Sequence, residues 1–72
     1  MSEPLYLRGL KCPLPALLAR RALARALPGT EIAVVADDPL AAVDIPHMCH
    51  REGYAVVDVT RDGALTRLTL RR

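Results

Sequence analysis

Apolar positions recur along the chain with two different periods, which predicts an alternation of strands and helices. Residues 4–8 form a short apolar run that ends at Gly9, as expected of a first strand. Residues 13–27 contain no helix breaker beyond the first turn and stop at Pro28-Gly29, which predicts a helix. The β-branched run 30–36 predicts a strand that is buried at its middle.

The second half of the chain predicts a helix followed by a β-hairpin. Asp44 is a suitable N-cap, with Pro46 in the first turn, for a helix that ends before Gly53. Residues 54–61 and 64–71 flank Asp62-Gly63, which favours a two-residue type I′ turn. We therefore expect residues 1–72 to form one domain, an α/β (α+β) two-layer sandwich of order βαβαββ. Its four-stranded mixed sheet would carry both helices on one face.

The first predicted helix has two groups of apolar side chains. A helical projection places one group on a side that suits close packing on a sheet: Ala16, Ala19, Leu23, Ala26 and Leu27. A second group, Leu14, Leu17 and Leu18, lies toward the arginines. Periodicity leaves open whether these leucines belong to the core or form an exposed patch, rimmed by Arg21, of the kind that marks a protein docking surface.

Cys12 is the candidate reactive group, because it lies between a lysine and a proline immediately before this helix. As the N-cap, its thiol would face the positive end of the helix dipole and the free N–H groups of Leu14 and Ala16. Lys11 and Arg8 add positive charge, so the pKa of the thiol is expected to be lowered. A lone cysteine is more often buried and unreactive than functional. Cysteine is a poor N-cap, however, and its presence at this position favours a functional role for Cys12.

Composition narrows the classes of function. The chain has 72 residues, 51% of them apolar, without Trp or Phe, so the core must be aliphatic and only Tyr6 and Tyr54 could stack on bases. The net charge of +2 is dispersed, so direct specific nucleic-acid binding is not expected, although an RNA-binding module stays an alternative. No apolar run has membrane-spanning length and no secretory signal opens the chain, which predicts a cytoplasmic protein without a membrane partner.

Cys49 is expected to pack in the core, because Ile45, Met48 and Cys49 share one helix face. A zinc site formed by Cys49, its neighbouring histidines and Cys12 is an alternative, but the spacing matches no familiar finger and we expect no metal. A reversible disulfide between the two cysteines is another alternative. It would make the protein a thiol-based redox or regulatory binding module without sulfur transfer.

Three motifs, taken in order, resemble those of the TusA/SirA-like sulfur carriers. They are the run Leu7-Arg8-Gly9-Leu10-Lys11-Cys12-Pro13-Leu14-Pro15, the turn Ala36-Asp37-Asp38-Pro39, and Asp44-Ile45-Pro46 with Cys49 after it. The resemblance spans nearly the whole chain. It implies a carrier that accepts sulfane sulfur as a persulfide on Cys12 and passes it to a partner protein. Such a sulfurtransferase acts in a relay and is not a turnover enzyme, and it needs no cofactor beyond the covalent persulfide sulfur.

The resemblance also implies partners. The donor would be a cysteine desulfurase or another persulfide donor, and the receiver a downstream sulfur-acceptor protein, as in tRNA thiolation, cofactor biosynthesis or sulfur and thiosulfate metabolism. Around Cys12, we expect four residues to shape the site: Gly9, Lys11, Pro13 and Pro15. We expect the docking surface for partners to consist of Arg8, Leu14, Leu17, Leu18 and Arg21.

Overall fold

The computed structural model describes residues 4–72. The elements, in chain order, are β1 (Leu5–Leu7), α1 (Leu14–Arg25), β2 (Glu31–Ala36), α2 (Ala41–Glu52), β3 (Ala55–Asp62) and β4 (Leu65–Arg71). The strands form one sheet in the order β1-β2-β4-β3, in which β1 is parallel to β2 and the other pairs are antiparallel. The predicted fold class and element order are confirmed.

The core lies between the sheet and the two helices and is aliphatic. Alternate residues of the two central strands point toward the helices, as the period of a strand requires. The side chains of Ala19, Leu23, Ile45 and Cys49 meet them from the helix side. Cys49 is completely buried, so its predicted place in the core is confirmed.

The first helix is shorter than the sequence predicts. It begins at Leu14, with Pro13 as its N-cap residue, so Cys12 precedes the cap and is not the cap itself. The helix ends at Arg25, and Leu27, expected in the core, lies beyond its end with 78% of its surface exposed. The rest of the predicted packing face does turn inward, since Ala19 and Leu23 are buried and Ala16 and Ala26 are half-buried.

The last residue contributes to the end of α1. The guanidinium group of Arg72 donates to the carbonyl oxygens of Ala24, at 3.1 Å, and Ala26. Basic side chains stabilise the C-terminal end of a helix in this way, because its last carbonyl groups have no partner within the helix.

The second helix begins four residues earlier than predicted, at Ala41 with Leu40 as its N-cap residue. Asp38, and not Asp44, organises its start: one carboxylate oxygen of Asp38 accepts the N–H of Leu40 at 3.1 Å. Asp44 therefore lies in the first turn, and Pro46 lies inside the helix, where its missing N–H removes one intrahelical hydrogen bond.

The hairpin turn is displaced by one residue from the expected position. Asp62 pairs with Leu65, which leaves Gly63 and Ala64 as the two turn residues. Gly63 has a φ of +60° and Ala64 does not have a positive φ. A type I′ turn needs a positive φ at both central positions, so the predicted turn type is wrong, and the observed signs are those of type II′.

Candidate functional site

Two aspartates from the β2–α2 turn hold the loop that carries Cys12. The N–H of Gly9, whose φ is +80°, donates to Asp37 Oδ1 at 2.9 Å, and the N–H of Cys12 donates to Asp38 Oδ2 at 2.7 Å. Asp38 is 5% exposed, and its other oxygen receives the N–H of Leu40. One buried carboxylate thus ties the reactive loop to the start of α2. From the sequence, both aspartates are structural turn residues, and their link to the Cys12 loop is long-range.

The Cys12 side chain is exposed, as expected, but its surroundings differ from the prediction. The Cys12–Pro13 peptide bond is cis. The N–H of Leu14 donates to the carbonyl of Lys11 at 2.8 Å, so this N–H does not face the sulfur. The thiol is exposed in front of a turn, and the helix dipole does not act on it through an N-cap position.

The pKa of the Cys12 thiol is raised, and the expectation of a lowered pKa is wrong. The main cause is a hydrogen bond from the thiol to Asp44, which favours the protonated form; partial desolvation and the negative charges of Asp44 and Asp38 act in the same direction. These carboxylates outweigh the expected effect of Lys11 and Arg8. The sulfur is therefore accessible but neutral at rest.

A cleft of about 220 Å³ opens beside Cys12, between the two helices. Its lining comes from Cys12 and the first helix on one side, with Pro13, Ala16, Leu17 and Arg20, and from the second helix on the other, with Asp44, His47, Met48 and Arg51. Each set is spaced by three and four residues, so each is one stripe along a helix. Those stripes are visible in the sequence, but only the tertiary structure shows that they face each other across the thiol.

The expected site-shaping residues occupy different environments. Lys11 is exposed, Pro13 lines the cleft, and Pro15 is fully buried in the first turn of α1. We therefore expect Pro15 to hold the start of the helix in place, whereas Pro13 is placed to contact whatever binds beside the sulfur.

The expected docking surface is divided between solvent and core. Leu14 and Leu17 each expose 47% of their surface, and Arg8 and Arg21 are exposed. Leu18 packs against the core cluster and does not belong to the exposed patch. The reason is its helical position: it points toward the sheet side of α1, which Leu14 and Leu17 do not.

The second cysteine and the histidines do not assemble with Cys12 into one centre. Both cysteines are free, and Cys49 is completely buried, so a disulfide with Cys12 would require the core to open. Burial raises the pKa of the Cys49 thiol. Within residues 4–72, no group of three or more His, Cys, Asp or Glu side chains is placed to hold a metal ion.

Neither of the two described helices has the length and apolar character needed to cross a membrane.

Comparison with known proteins identifies the family. Residues 5–72 match the family described as "Sulfurtransferase TusA". The chain belongs to the TusA family. Among the relatives of this TusA-family protein are "Putative sulfur carrier protein NMA0882" and "Putative sulfur carrier protein NMB0681", from two strains of Neisseria meningitidis, of serogroups A and B. Each is 41% identical over 66 residues, which cover 90% of this chain and 89% of the relative.

A solved structure confirms the fold independently. The SirA-like protein DSY4693 from Desulfitobacterium hafniense superposes with a TM-score of 0.81 over 94% of this chain and 93% of its own. Its sequence is 23% identical. The TusA-family chain thus has the two-layer fold that the resemblance in its motifs implies.

Replacement of Asp44 by asparagine is expected to lower the pKa of Cys12. The amide removes both the negative charge and the carboxylate that accepts the thiol hydrogen bond, so a larger share of the sulfur is thiolate at a given pH. The pH profile of iodoacetamide labelling should move to lower pH, with severalfold faster labelling near neutrality. Because Cys49 is buried, the rate reports on Cys12.

The matched control is Asp62→Asn, which removes an equal charge at the hairpin end of β3. It should leave the labelling profile unchanged. An unchanged profile in Asp44→Asn, or a shift to higher pH, would contradict the electrostatic account of the site.

Proposed function

We propose that this TusA-family sulfur carrier accepts a sulfane sulfur as a persulfide on Cys12 and delivers it to an acceptor protein. The observation that carries the proposal is an exposed thiol on a loop fixed by a buried carboxylate, Asp38, in a chain whose family is a family of sulfurtransferases. An accessible sulfur in a fixed position is what exchange between two protein thiols requires.

In the loading step, the sulfur of Cys12 attacks the outer sulfur of a donor persulfide. A new S–S bond forms on Cys12 while the S–S bond of the donor breaks, and its electron pair goes to the inner sulfur of the donor, which leaves as a thiolate. The transferred atom keeps its oxidation state, so the step needs neither an oxidant nor a reductant. Delivery is the same exchange with an acceptor thiolate attacking the outer sulfur on Cys12.

Asp44 has a defined task in this scheme. A neutral thiol is a weak nucleophile, so loading requires that the thiol lose its proton as the S–S bond forms. The carboxylate of Asp44, which accepts the hydrogen bond of the Cys12 thiol, takes that proton as a general base. The raised pKa thus keeps the empty carrier unreactive until a donor persulfide is in place.

The proposed partners are proteins on both sides of the relay. A cysteine desulfurase or another persulfide-bearing protein would be the donor, and a thiol-bearing acceptor in tRNA thiolation, cofactor biosynthesis or sulfur metabolism would be the receiver. Free cysteines persist in a reducing compartment. The proposed site of action is therefore the cytoplasm, which fits the two free thiols of the chain.

The direct test is to incubate the protein with a cysteine desulfurase and cysteine and to measure its intact mass. The mass should increase by one sulfur atom and return to its original value on addition of a thiol reductant. A protein that stays unmodified while the desulfurase turns over would contradict loading by this donor class, and a gain that resists reductant would contradict a persulfide.

Replacement of Leu17 by glutamine is expected to slow sulfur transfer severalfold without changing the reactivity of the Cys12 thiol. Leu14 and Leu17 are large apolar side chains exposed near the thiol, and a neutral polar amide would weaken burial of this patch against a partner without adding a charge beside the sulfur. Initial rates of loading by the desulfurase would be compared with iodoacetamide labelling of the same variant. Leu14→Gln and Arg21→Gln test the rest of the patch.

Leu27→Gln is the matched control, because Leu27 is also exposed but lies past the end of α1, away from the cleft. It should load at the normal rate. Normal transfer in the Leu14, Leu17 and Arg21 variants would leave the patch without a role in docking.

A further inference from the structure

We propose that the cleft between α1 and α2 binds the cargo, with Arg20, His47 and Arg51 holding the anionic terminal sulfur of the Cys12 persulfide. This inference rests on the proposed function and adds a binding site to it. No motif in the sequence points to a role for either arginine, and His47 appears there only as a neighbour of Cys49 in the alternative zinc site. The structure places all three in the lining of the cleft that opens beside the thiol.

The charge of the site is expected to change when sulfur is loaded. A persulfide is a stronger acid than the thiol from which it forms, because its terminal S–H bond is weaker and the negative charge spreads onto a polarisable sulfur. The empty site holds a neutral thiol beside Asp44, whereas the loaded site holds an anion at neutral pH. An anion needs cations as neighbours, since each opposite charge nearby favours the charged form.

The lining of the cleft carries cations as well as a carboxylate. The terminal sulfur extends one S–S bond, about 2 Å, beyond the sulfur of Cys12. Asp44 and Asp38 act on the thiol with negative charge, whereas Arg20 and Arg51 add two cations to the lining of the same cleft. The two guanidinium groups can balance the two carboxylates, and His47 can donate a further hydrogen bond. The cations of the cleft can therefore stabilise the anionic terminal sulfur of the loaded form, whereas the neutral thiol of the empty form has no charge for them to stabilise.

This arrangement would shelter the sulfur between the two partners. Leu17 and Met48 provide an apolar part of the lining, beside which the large, polarisable terminal sulfur can pack. A persulfide anion held in this way is less exposed to small reductants than one that projects freely into solvent. An acceptor would then reach the sulfur by docking over the cleft.

The test compares the loaded and empty forms of one variant, Arg20→Gln/Arg51→Gln. Cys12 is first converted to a mixed disulfide with an aromatic thiol and then treated with hydrosulfide, which forms the persulfide on Cys12 and releases the aromatic thiolate. Intact mass confirms the added sulfur. The pH dependence of iodoacetamide labelling then gives the pKa of the persulfide in the loaded form and of the thiol in the empty form.

We expect the pKa of the persulfide to rise by about one unit in the double variant, with a smaller rise for the thiol of the empty form.

Arg25→Gln, which removes an arginine of α1 outside the cleft, is the matched control and should leave both pKa values unchanged. Arg20→Lys/Arg51→Lys keeps the charges, so the pKa of its persulfide should lie close to that of the wild-type protein. If the double variant does not fold, as judged by its circular dichroism, each single glutamine variant is expected to show part of the same shift.

Two results would overturn the proposal: an unchanged pKa of the persulfide, or equal shifts in the loaded and empty forms. The chemical loading route keeps this test independent of the partner proteins. Failure of a desulfurase to load the protein would contradict loading by this donor class, whereas a normal desulfurase reaction without the shift would contradict only the cargo site.

Discussion

Cys12→Ser is expected to abolish the gain of sulfur from a cysteine desulfurase and cysteine completely. A serine hydroxyl cannot form the S–S bond on which loading depends, and Cys49, the other thiol of the chain, is completely buried. The measurement is the intact mass of the protein after incubation with the donor. The fold should be retained, because Cys12 is exposed and its link to the structure is the backbone N–H bond to Asp38, which serine can also make.

The control is Cys49→Ala, which leaves Cys12 untouched. It should still gain one sulfur atom, although some stability is lost because a buried side chain is replaced by a smaller one. Loss of the gain in a folded Cys49→Ala variant, or a persistent gain in Cys12→Ser, would contradict the assignment of Cys12 as the sulfur acceptor.

Asp38→Ala is expected to lower the free energy of unfolding by about 2–4 kcal/mol and to reduce sulfur loading. The change leaves the N–H groups of Cys12 and Leu40, whose hydrogen bonds are part-buried, without their partner, and each unsatisfied donor costs up to about 1–3 kcal/mol. For a domain of 72 residues, the total stability is about 4–10 kcal/mol. The loss would therefore be a large fraction of the whole and is measurable by urea denaturation.

Asp37→Ala is the matched control, since Asp37 accepts one hydrogen bond, from the exposed N–H of Gly9. It should cost about 1 kcal/mol or less, because water can replace a lost partner at an exposed group. Equal stability losses in the two variants would contradict the special role of Asp38. Loading at the wild-type rate by a folded Asp38→Ala protein would show that transfer does not need the loop to be fixed.

The contacts of Asp38 also relate the position of the sulfur to its charge. The same carboxylate that fixes the backbone of Cys12 contributes, with Asp44, to the raised pKa of the thiol. Asp38 and Asp44 thus determine both where the sulfur of Cys12 lies and how readily its thiol loses a proton. The neighbours of Cys12 in the chain, Lys11 and Arg8, predict a lowered pKa instead, because both acids lie in the second half of the chain.

More of the fold than of the site could be predicted from the sequence. The order of strands and helices, the end of α2 at Gly53 and the burial of Cys49 all follow from local patterns of apolar residues and turn signals. The start of α2 does not, because Asp44 and Asp38 are both good capping residues, and the choice depends on the hydrogen bonds that Asp38 makes. The turn type of the hairpin was likewise decided by strand register, which places Gly63 first in the turn.

By itself, the sequence determined which atom is the candidate for chemistry and which fold carries it. A thiol between lysine and proline, before a helix with few polar residues on its packing face, is a local feature that needs no knowledge of distant contacts. Only the tertiary structure decided the electrostatics of that thiol and the surface beside it. The charges of Asp38 and Asp44 act through space, and the fold brings them to Cys12 from positions 26 and 32 residues away in the chain.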